Sequence, residues 1–301
     1  MKVKSGIIIG FLFVFALIVS ACSMVQPEDK PVIVLGEDLS EEQKDTVLSL
    51  MGVTRNELEN YTVLTVSNED EHRYLGAYID KSLIGDKALS SVMLTPAEEG
   101  SGVMVTTQNI NYCTTGMYRN ALLTAGLKDT HVLVVGPGPI SGTAGLIGAV
   151  KGYEEMSGNA VSDSTLDIAL NELITTGEIA STNGYGDEME DFMAYVKGKL
   201  AAGELESSED IIATIHEAEG QFGITLSDDQ IQQVLGVMDK VNDLGLSPDT
   251  LLDQAEDLYQ QFGEDFFDQA EEAVKKGVTD SVNDYFDDME DEVTNFLDGV
   301  F

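Results

Sequence analysis

Short runs of Val, Ile and Leu recur between residues 32 and 135 and then stop, and no other feature of the sequence constrains the fold as much. Five runs, at 32–35, 61–66, 92–94, 103–107 and 131–135, have the length and residue types of strands. Segments whose apolar residues recur every three or four positions separate them. Strands alternating with helices predict a mixed-sheet α/β layer structure. Beyond about residue 160 the strand signal vanishes, and the rest of the chain reads as successive amphipathic helices with glycine-containing breaks. The expected division is an α/β domain over 32–160 and an all-α, acidic helical domain over 161–301.

Capping chemistry predicts where the helices start. Ser40-Glu41-Glu42-Gln43 and Thr54-Arg55-Asn56-Glu57 each place an oxygen acceptor three residues before a Glu or Gln. Asn68-Glu69-Asp70-Glu71 opens another helix that runs through Tyr74 and Tyr78. Residues 115–125 read as a helix ended by Gly126, which adopts the left-handed cap without strain. A helix over about 142–156 closes the α/β part. Later, Ser227-Asp228-Asp229-Gln230 is a capping box before Ile231, Val234, Leu235, Met238 and Val241, which share one face. Ser247-Pro248 begins a further helix, with proline where its missing N–H is not needed. A last stripe from Phe266 to Phe296 carries Phe and Tyr opposite a densely acidic face; left unpacked, it would suit a groove or a coiled-coil partner.

The amino terminus predicts export. Met1-Lys2-Val3-Lys4 is followed by an uncharged stretch over 6–19, the pattern of a secretory signal and too short to span a bilayer comfortably. It closes with Val19-Ser20-Ala21-Cys22, a branched apolar residue and two small ones before a cysteine, which is the form of a lipobox. Residues 1–22 are therefore expected to be a lipoprotein signal peptide, with Cys22 acylated, and 23–31 a polar, proline-bracketed tether. The expected location is the extracellular face of the plasma membrane. The alternatives are an ordinary signal peptide with Cys22 present by accident, or an uncleaved anchor helix. Acylation of one of the two cysteines leaves Cys113 without an intramolecular disulfide partner, and it reads as a small buried apolar residue.

A formal net charge of -38 repels nucleic acid and anionic headgroups, so attachment to a membrane is expected through the lipid alone. The same field favours cations. Asp284-Tyr285-Phe286-Asp287-Asp288-Met289-Glu290-Asp291 could gather divalent cations diffusely, and the acidic helices could face the wall or a protein partner. Solubility alone also accounts for such a surface.

One stretch carries the geometry of a ligand site. The run 131–135 leads into Gly136-Pro137-Gly138-Pro139-Ile140-Ser141-Gly142-Thr143, then a helix. A strand, a glycine-rich turn and a helix amino terminus can present backbone N–H groups to an anion. The match to known loops is poor: no Lys-Ser or Lys-Thr follows the second glycine, Ser141 stands where a dinucleotide fingerprint has its third, and two prolines remove donors. The plainer reading is a tight turn with Ser141 or Thr143 as helix cap. Ser141 lacks the elbow of a serine hydrolase. Of the three histidines, His131 begins a strand and His216 sits in a helix. His72, after a strand end and beside carboxylates, is the best candidate base. No metal-ligand spacing, cofactor motif or catalytic set stands out. The candidate ligand-binding residues are Gly136, Gly138, Ser141, Gly142, Thr143 and His72.

Three stretches resemble a known family: Ser67-Asn68-Glu69-Asp70-Glu71-His72-Arg73-Tyr74-Leu75-Gly76; Asn109-Ile110 with Met117-Tyr118-Arg119-Asn120-Ala121-Leu122-Leu123-Thr124-Ala125-Gly126; and Ile140-Ser141-Gly142-Thr143-Ala144-Gly145-Leu146 with Gly152-Tyr153-Glu154. With the helical region over 224–262, they are similar to the YpuA-like exported proteins of low-GC Gram-positive bacteria, whose shared region is a domain of unknown function. The resemblance implies export and assigns no catalytic residue. The lipobox departs from members with a plain secretory signal. The expectation is a non-enzymatic cell-envelope lipoprotein that binds a ligand or partner. The alternative is a surface hydrolase using 136–143 with His72 or a carboxylate.

Overall fold

The computed structural model describes residues 30–78, 84–98, 100–201, 205 and 207–245. The residues expected to be a signal peptide, most of those expected to be a tether, the helix expected at Ser247-Pro248 and the acidic run after residue 280 lie outside the described residues. All five expected runs form strands: β1 (Val32–Gly36), β2 (Thr62–Val66), β3 (Ser91–Pro96), β4 (Val103–Ile110) and β5 (Thr130–Ile140). They make one mixed sheet in the order β2-β1-β3-β5-β4. β1 and β2 are parallel, as are β4 and β5, while β3 is antiparallel to both its neighbours. Four strands thus run one way, and their carboxyl ends meet at a single edge.

Helices fill the connections: α1 (Glu41–Leu50), α2 (Asn68–Leu75), α3 (Thr115–Thr124) and α4 (Thr143–Ser157). The Ser40 hydroxyl accepts from Gln43 N at 3.2 Å while the Gln43 side chain accepts from Ser40 N at 2.9 Å, so the expected capping box opens α1. Ser67, one residue earlier than the sequence suggested, opens α2 with Asp70 in the same way. The Thr54 signal gives only a 3-10 helix over Arg55–Asn60. There Glu57 accepts from both the N–H and the hydroxyl of Thr54, at 2.8 and 2.6 Å, and the chain must enter β2 immediately afterwards.

Alternation in the strands distributes side chains to two layers. Val34, Val92 and Val134 are register partners and face α3 and α4; Ile33, Met93 and Leu133 are partners on the other face, where Val47, Leu48 and Met51 of the α1 region cover them. Helix α4 lies unusually close to the sheet. Gly145, Gly148 and Gly152 recur on its inner face, and a Cβ added at Gly152 would stand 2.3 Å from Leu94 Cδ1. Bare backbone on that face lets the helix approach Val34, Val92 and Leu94.

The remaining described chain is helical, as expected: α5 (Asp163–Asn183), α6 (Asp187–Ala201), α7 (Ser208–Phe222) and α8 (Asp228–Asp243). They enclose a separate core that includes Phe192, Met193, Val196, Ile215, Val234 and Met238. The Ser227 capping box and the stripe of Ile231, Val234, Met238 and Val241 form as expected. Helix α5 serves both cores, giving Leu166, Leu170 and Leu173 to the sheet side and Ile168 and Ile179 to the helical side. Among the described residues, no helix is long and apolar enough to cross a membrane.

A buried ion pair ties the two cores together. Lys197 of α6 and Glu172 of α5 are wholly buried, with Nζ 2.7 Å from Glu172 Oε1. The ammonium also donates to the Asn120 carbonyl at 2.7 Å and to the Thr124 hydroxyl at 3.0 Å, both on α3. Thr124 in turn donates to the second Glu172 oxygen. All three ammonium protons have acceptors, which is the condition for a charge to persist out of water.

Candidate functional site

The glycine-rich run does not form the loop that its composition suggested. β5 continues through Gly136, Pro137, Gly138 and Pro139 to Ile140, pairing with β4 as far as Ile110 across an irregularity between Gln108 and Ile110. Asn109 takes a positive φ of 59° in that irregularity, and its amide donates to the Gly136 carbonyl at 3.1 Å. A side chain at Gly136 would stand 2.9 Å from the Asn109 carbonyl oxygen, so glycine is needed for two strands to close around the bulge. Only Ser141 and Gly142 remain as a turn. Gly142, at φ 96°, is the residue that opens α4 and makes no side-chain cap, in place of the expected Ser141 or Thr143.

The cap is supplied from another helix. Glu71 of α2 points its carboxyl group at the amino terminus of α4, where Oε1 accepts from the Thr143 hydroxyl at 3.0 Å and Ala144 N–H adds a backbone bond. Asn68 bridges from the Gly85 carbonyl at 3.2 Å toward Oε2 at 3.4 Å. A carboxylate at a helix amino terminus satisfies unpaired N–H groups and meets the positive end of the dipole. The position that a bound anion would take is thus filled by the protein's own side chain.

Burial opposes this arrangement. Glu71 is 2 % exposed and Thr143 3 %. Loss of water raises the Glu71 carboxyl to about 7, against the Thr143 and Asn68 hydrogen bonds that lower it, and the charge of Asp38 adds to the rise. Tyr118 and Cys113 complete the cluster. The Tyr118 hydroxyl donates to the Gly142 carbonyl, and Cys113 N donates to Ser141 O at 3.0 Å. Burial pushes the Cys113 thiol up to about 12, which leaves it protonated and unreactive, in keeping with its reading as a buried apolar residue.

The structure therefore brings Ser141, Gly142 and Thr143 together and leaves Gly136 and Gly138 in the strand behind them. Ser141 Oγ lies 3.5 Å from Thr143 Oγ1. His72 is half-buried on α2, and its imidazole enters none of these bonds; the neighbouring Glu71 makes the contact. Sequence reasoning missed Glu71 because it stands in a run of solvent-like charges, Glu69-Asp70-Glu71, and only the rotation of α2 turns it inward. The spacing gave a signal: Glu71 and Leu75 are four apart and both buried.

A second acidic cluster lies at the joint of the two cores. Glu190 of α6 accepts from the Thr114 hydroxyl at the start of α3 and is raised to about 7 by burial, while burial raises Asp191 to about 6. Among the described residues no three His, Cys, Asp or Glu side chains are grouped to hold a metal ion. A shallow cleft of about 390 Å³, lined by Asp45, Leu48, Ser49, Gly52, Val53, Thr54 and Arg55, opens at the opposite edge of the sheet. Its Arg55 is occupied by Asp45 and Glu41.

The three stretches that carry the family resemblance are α2 with its cap, the end of β4 with α3, and the end of β5 with α4, and they meet around Glu71, Tyr118 and Thr143. Comparison with known proteins agrees in extent. The profile of the family described as "Protein of unknown function (DUF1002)" matches residues 35–258. The chain is 39% identical over 236 residues to "Uncharacterized protein YpuA" of Bacillus subtilis (strain 168), covering 77% of this chain and 79% of that protein. No solved structure matches. With the profile matching residues 35–258, which hold most of the sheet, the Glu71 cluster and the described helical core, and with this relative 39% identical over 77% of the chain, the chain belongs to the DUF1002 family.

Proposed function

We propose that this is a non-enzymatic envelope lipoprotein, exported and acylated at Cys22, whose sheet binds a ligand or partner at the carboxyl edge around Ser141 and Thr143. The observation that carries the binding reading is convergence. Four parallel strand ends, the amino terminus of α4 and the buried Glu71 share one edge, the place where open α/β sheets take ligands. The Val19-Ser20-Ala21-Cys22 pattern supports the anchor. The acidic helices would then face the wall or a protein partner, with weak affinity for divalent cations.

A hydrolase is the second reading. A carboxyl group raised to about 7 stands 3.0 Å from a hydroxyl, as a base stands to a nucleophile, with Glu71 in the role expected of His72. Both groups are buried, so substrate would reach them only after α2 moved.

Cells fed a fatty-acid analogue will label the wild type and leave Cys22→Ala unlabelled; label retained in the variant, or absent from both, ends the anchored reading. Thermal-shift screening of the mature chain against wall fragments, peptides and small anions tests the edge. Hits are expected to weaken at least about tenfold in Ser141→Ala or Thr143→Val. Hits indifferent to both substitutions remove the edge from consideration.

A further inference from the structure

Helix α2 is docked on the carboxyl edge through a narrow face. Only Glu71 and Leu75 of its eight residues are buried. Of its polar contacts, Arg73 and the Tyr74 hydroxyl to Asp163, both at 2.8 Å, are exposed; Asp70 to Lys151 at 3.0 Å, and Tyr78 of the following turn to Asp167, are part-buried, and the two tyrosines also rest against the sheet-side core. The exposed pairs contribute little. A helix this short is not stable alone, so its order depends on docking. Undocking it would free the Thr143 hydroxyl that Glu71 now holds, beside the already half-exposed Ser141.

The docking contact at its centre is a carboxyl group out of water. The groups that face Glu71 are Asn68 on its own helix, Asp38 after β1, Cys113 after β4, Tyr118 on α3, and Thr143 with the Ala144 N–H on α4. None of them is a cation. The nearest lysine on α4, Lys151, is engaged by Asp70. When Glu71 carries its charge, only dipoles compensate it, and Asp38 repels it. Water entering under α2 would relieve that cost.

We propose that α2 is a pH-operated latch on the carboxyl edge, closed while Glu71 is neutral and released as Glu71 ionises. This rests on the binding reading of that edge and adds its regulation: a ligand would enter in neutral to alkaline surroundings and be shut out in mildly acidic ones. Local opening of a weakly docked element is the usual low-energy fluctuation of a fold. Here a single ionisation sets its population.

Hydrogen exchange of the full chain tests the latch, with rates corrected for intrinsic pH dependence and read at about pH 6 and about pH 8. Amides of α2 should lose about tenfold or more protection at the higher pH while those of β3 do not change. In Glu71→Gln, α2 should stay protected at both. Equal protection of α2 at both pH values in the wild type overturns the latch, as does a Glu71→Gln variant that opens like the wild type. His72→Asn should keep the response; its loss there would assign the switch to the imidazole and refute the role of Glu71. If Glu71→Gln does not fold, the wild-type midpoint decides: near 7 supports the latch, and a midpoint in the ordinary carboxylate range refutes it. Opening is read without ligand, so an edge that binds nothing leaves this result standing. A ligand that binds equally at both pH values preserves the binding reading and sinks the latch.

Discussion

Replacing Lys197 with methionine is expected to destabilise the protein by about 3–5 kcal/mol, the cost of leaving one half of a buried ion pair alone. Glu172 would remain wholly buried, its Oε2 still accepting from Thr124 and its Oε1 without the Lys197 ammonium. Losing the ammonium removes both its hydrogen bond and its opposite charge, and that cost appears as lost stability. Burial pulls the lysine down and Glu172 holds it up. Removing both charges is a different experiment. Lys197→Met with Glu172→Leu should recover most of the loss, because apolar groups of similar volume can replace a buried pair at little cost. Urea denaturation of the three variants gives the coupling directly. A single substitution costing less than about 0.5 kcal/mol, the range of ordinary surface changes, would mean that the pair does not join the cores.

The second large effect is on pH. Stability is expected to be greatest near about pH 5 and to decline through about pH 7, the reverse of the usual acid sensitivity. Glu71 and Glu190 sit at about 7 and Asp191 at about 6 in the folded protein, all above their ordinary values because burial disfavours charge. Between the unfolded and folded pKa values the native state holds more protons, so unfolding becomes easier as pH rises. The contribution is fully present below about pH 4 and gone above about pH 7. Glu71 and Glu190 each account for at most about 3 kcal/mol. Repulsion within a chain of net charge -38 acts in the same direction but is screened by salt, so the scan belongs at high ionic strength. Glu190→Gln should flatten the decline and stabilise the protein at about pH 8, measured by thermal unfolding. A wild type that becomes more stable over the same range would overturn the assignment.

The five strands and most helix starts were legible because their causes are local. Ser40 and Ser227 announce capping boxes within four residues, and alternation in 92–94 and 131–135 assigns faces. The site was legible only as a place. Ser141 to Thr143 was found from the strand-turn-helix pattern, yet the length of β5 was not, because Pro137 and Pro139 argue against a strand. They are tolerated here because β5 runs past the end of β3 and pairs only with β4 beyond Val135. Glu71 and the Lys197–Glu172 pair were invisible for one reason. Each is a charged residue in a helix whose composition suits solvent, and its burial is decided by partners 72 and 25 residues away in sequence. No window on the sequence contains both ends of such a contact.

If Cys22 is acylated as proposed, strand polarity decides which end of the sheet faces the lipid. β1 starts at Val32, so a leash over residues 23–31, even fully drawn out, reaches at most about 30 Å from the edge where the chain enters the sheet. That edge, with the Arg55 cleft, would be the one drawn toward the bilayer. Thr143 and α2, at the other end of the strands, would look away from the lipid into the surrounding medium, where the acidity that governs Glu71 is set by the environment and not by the cell.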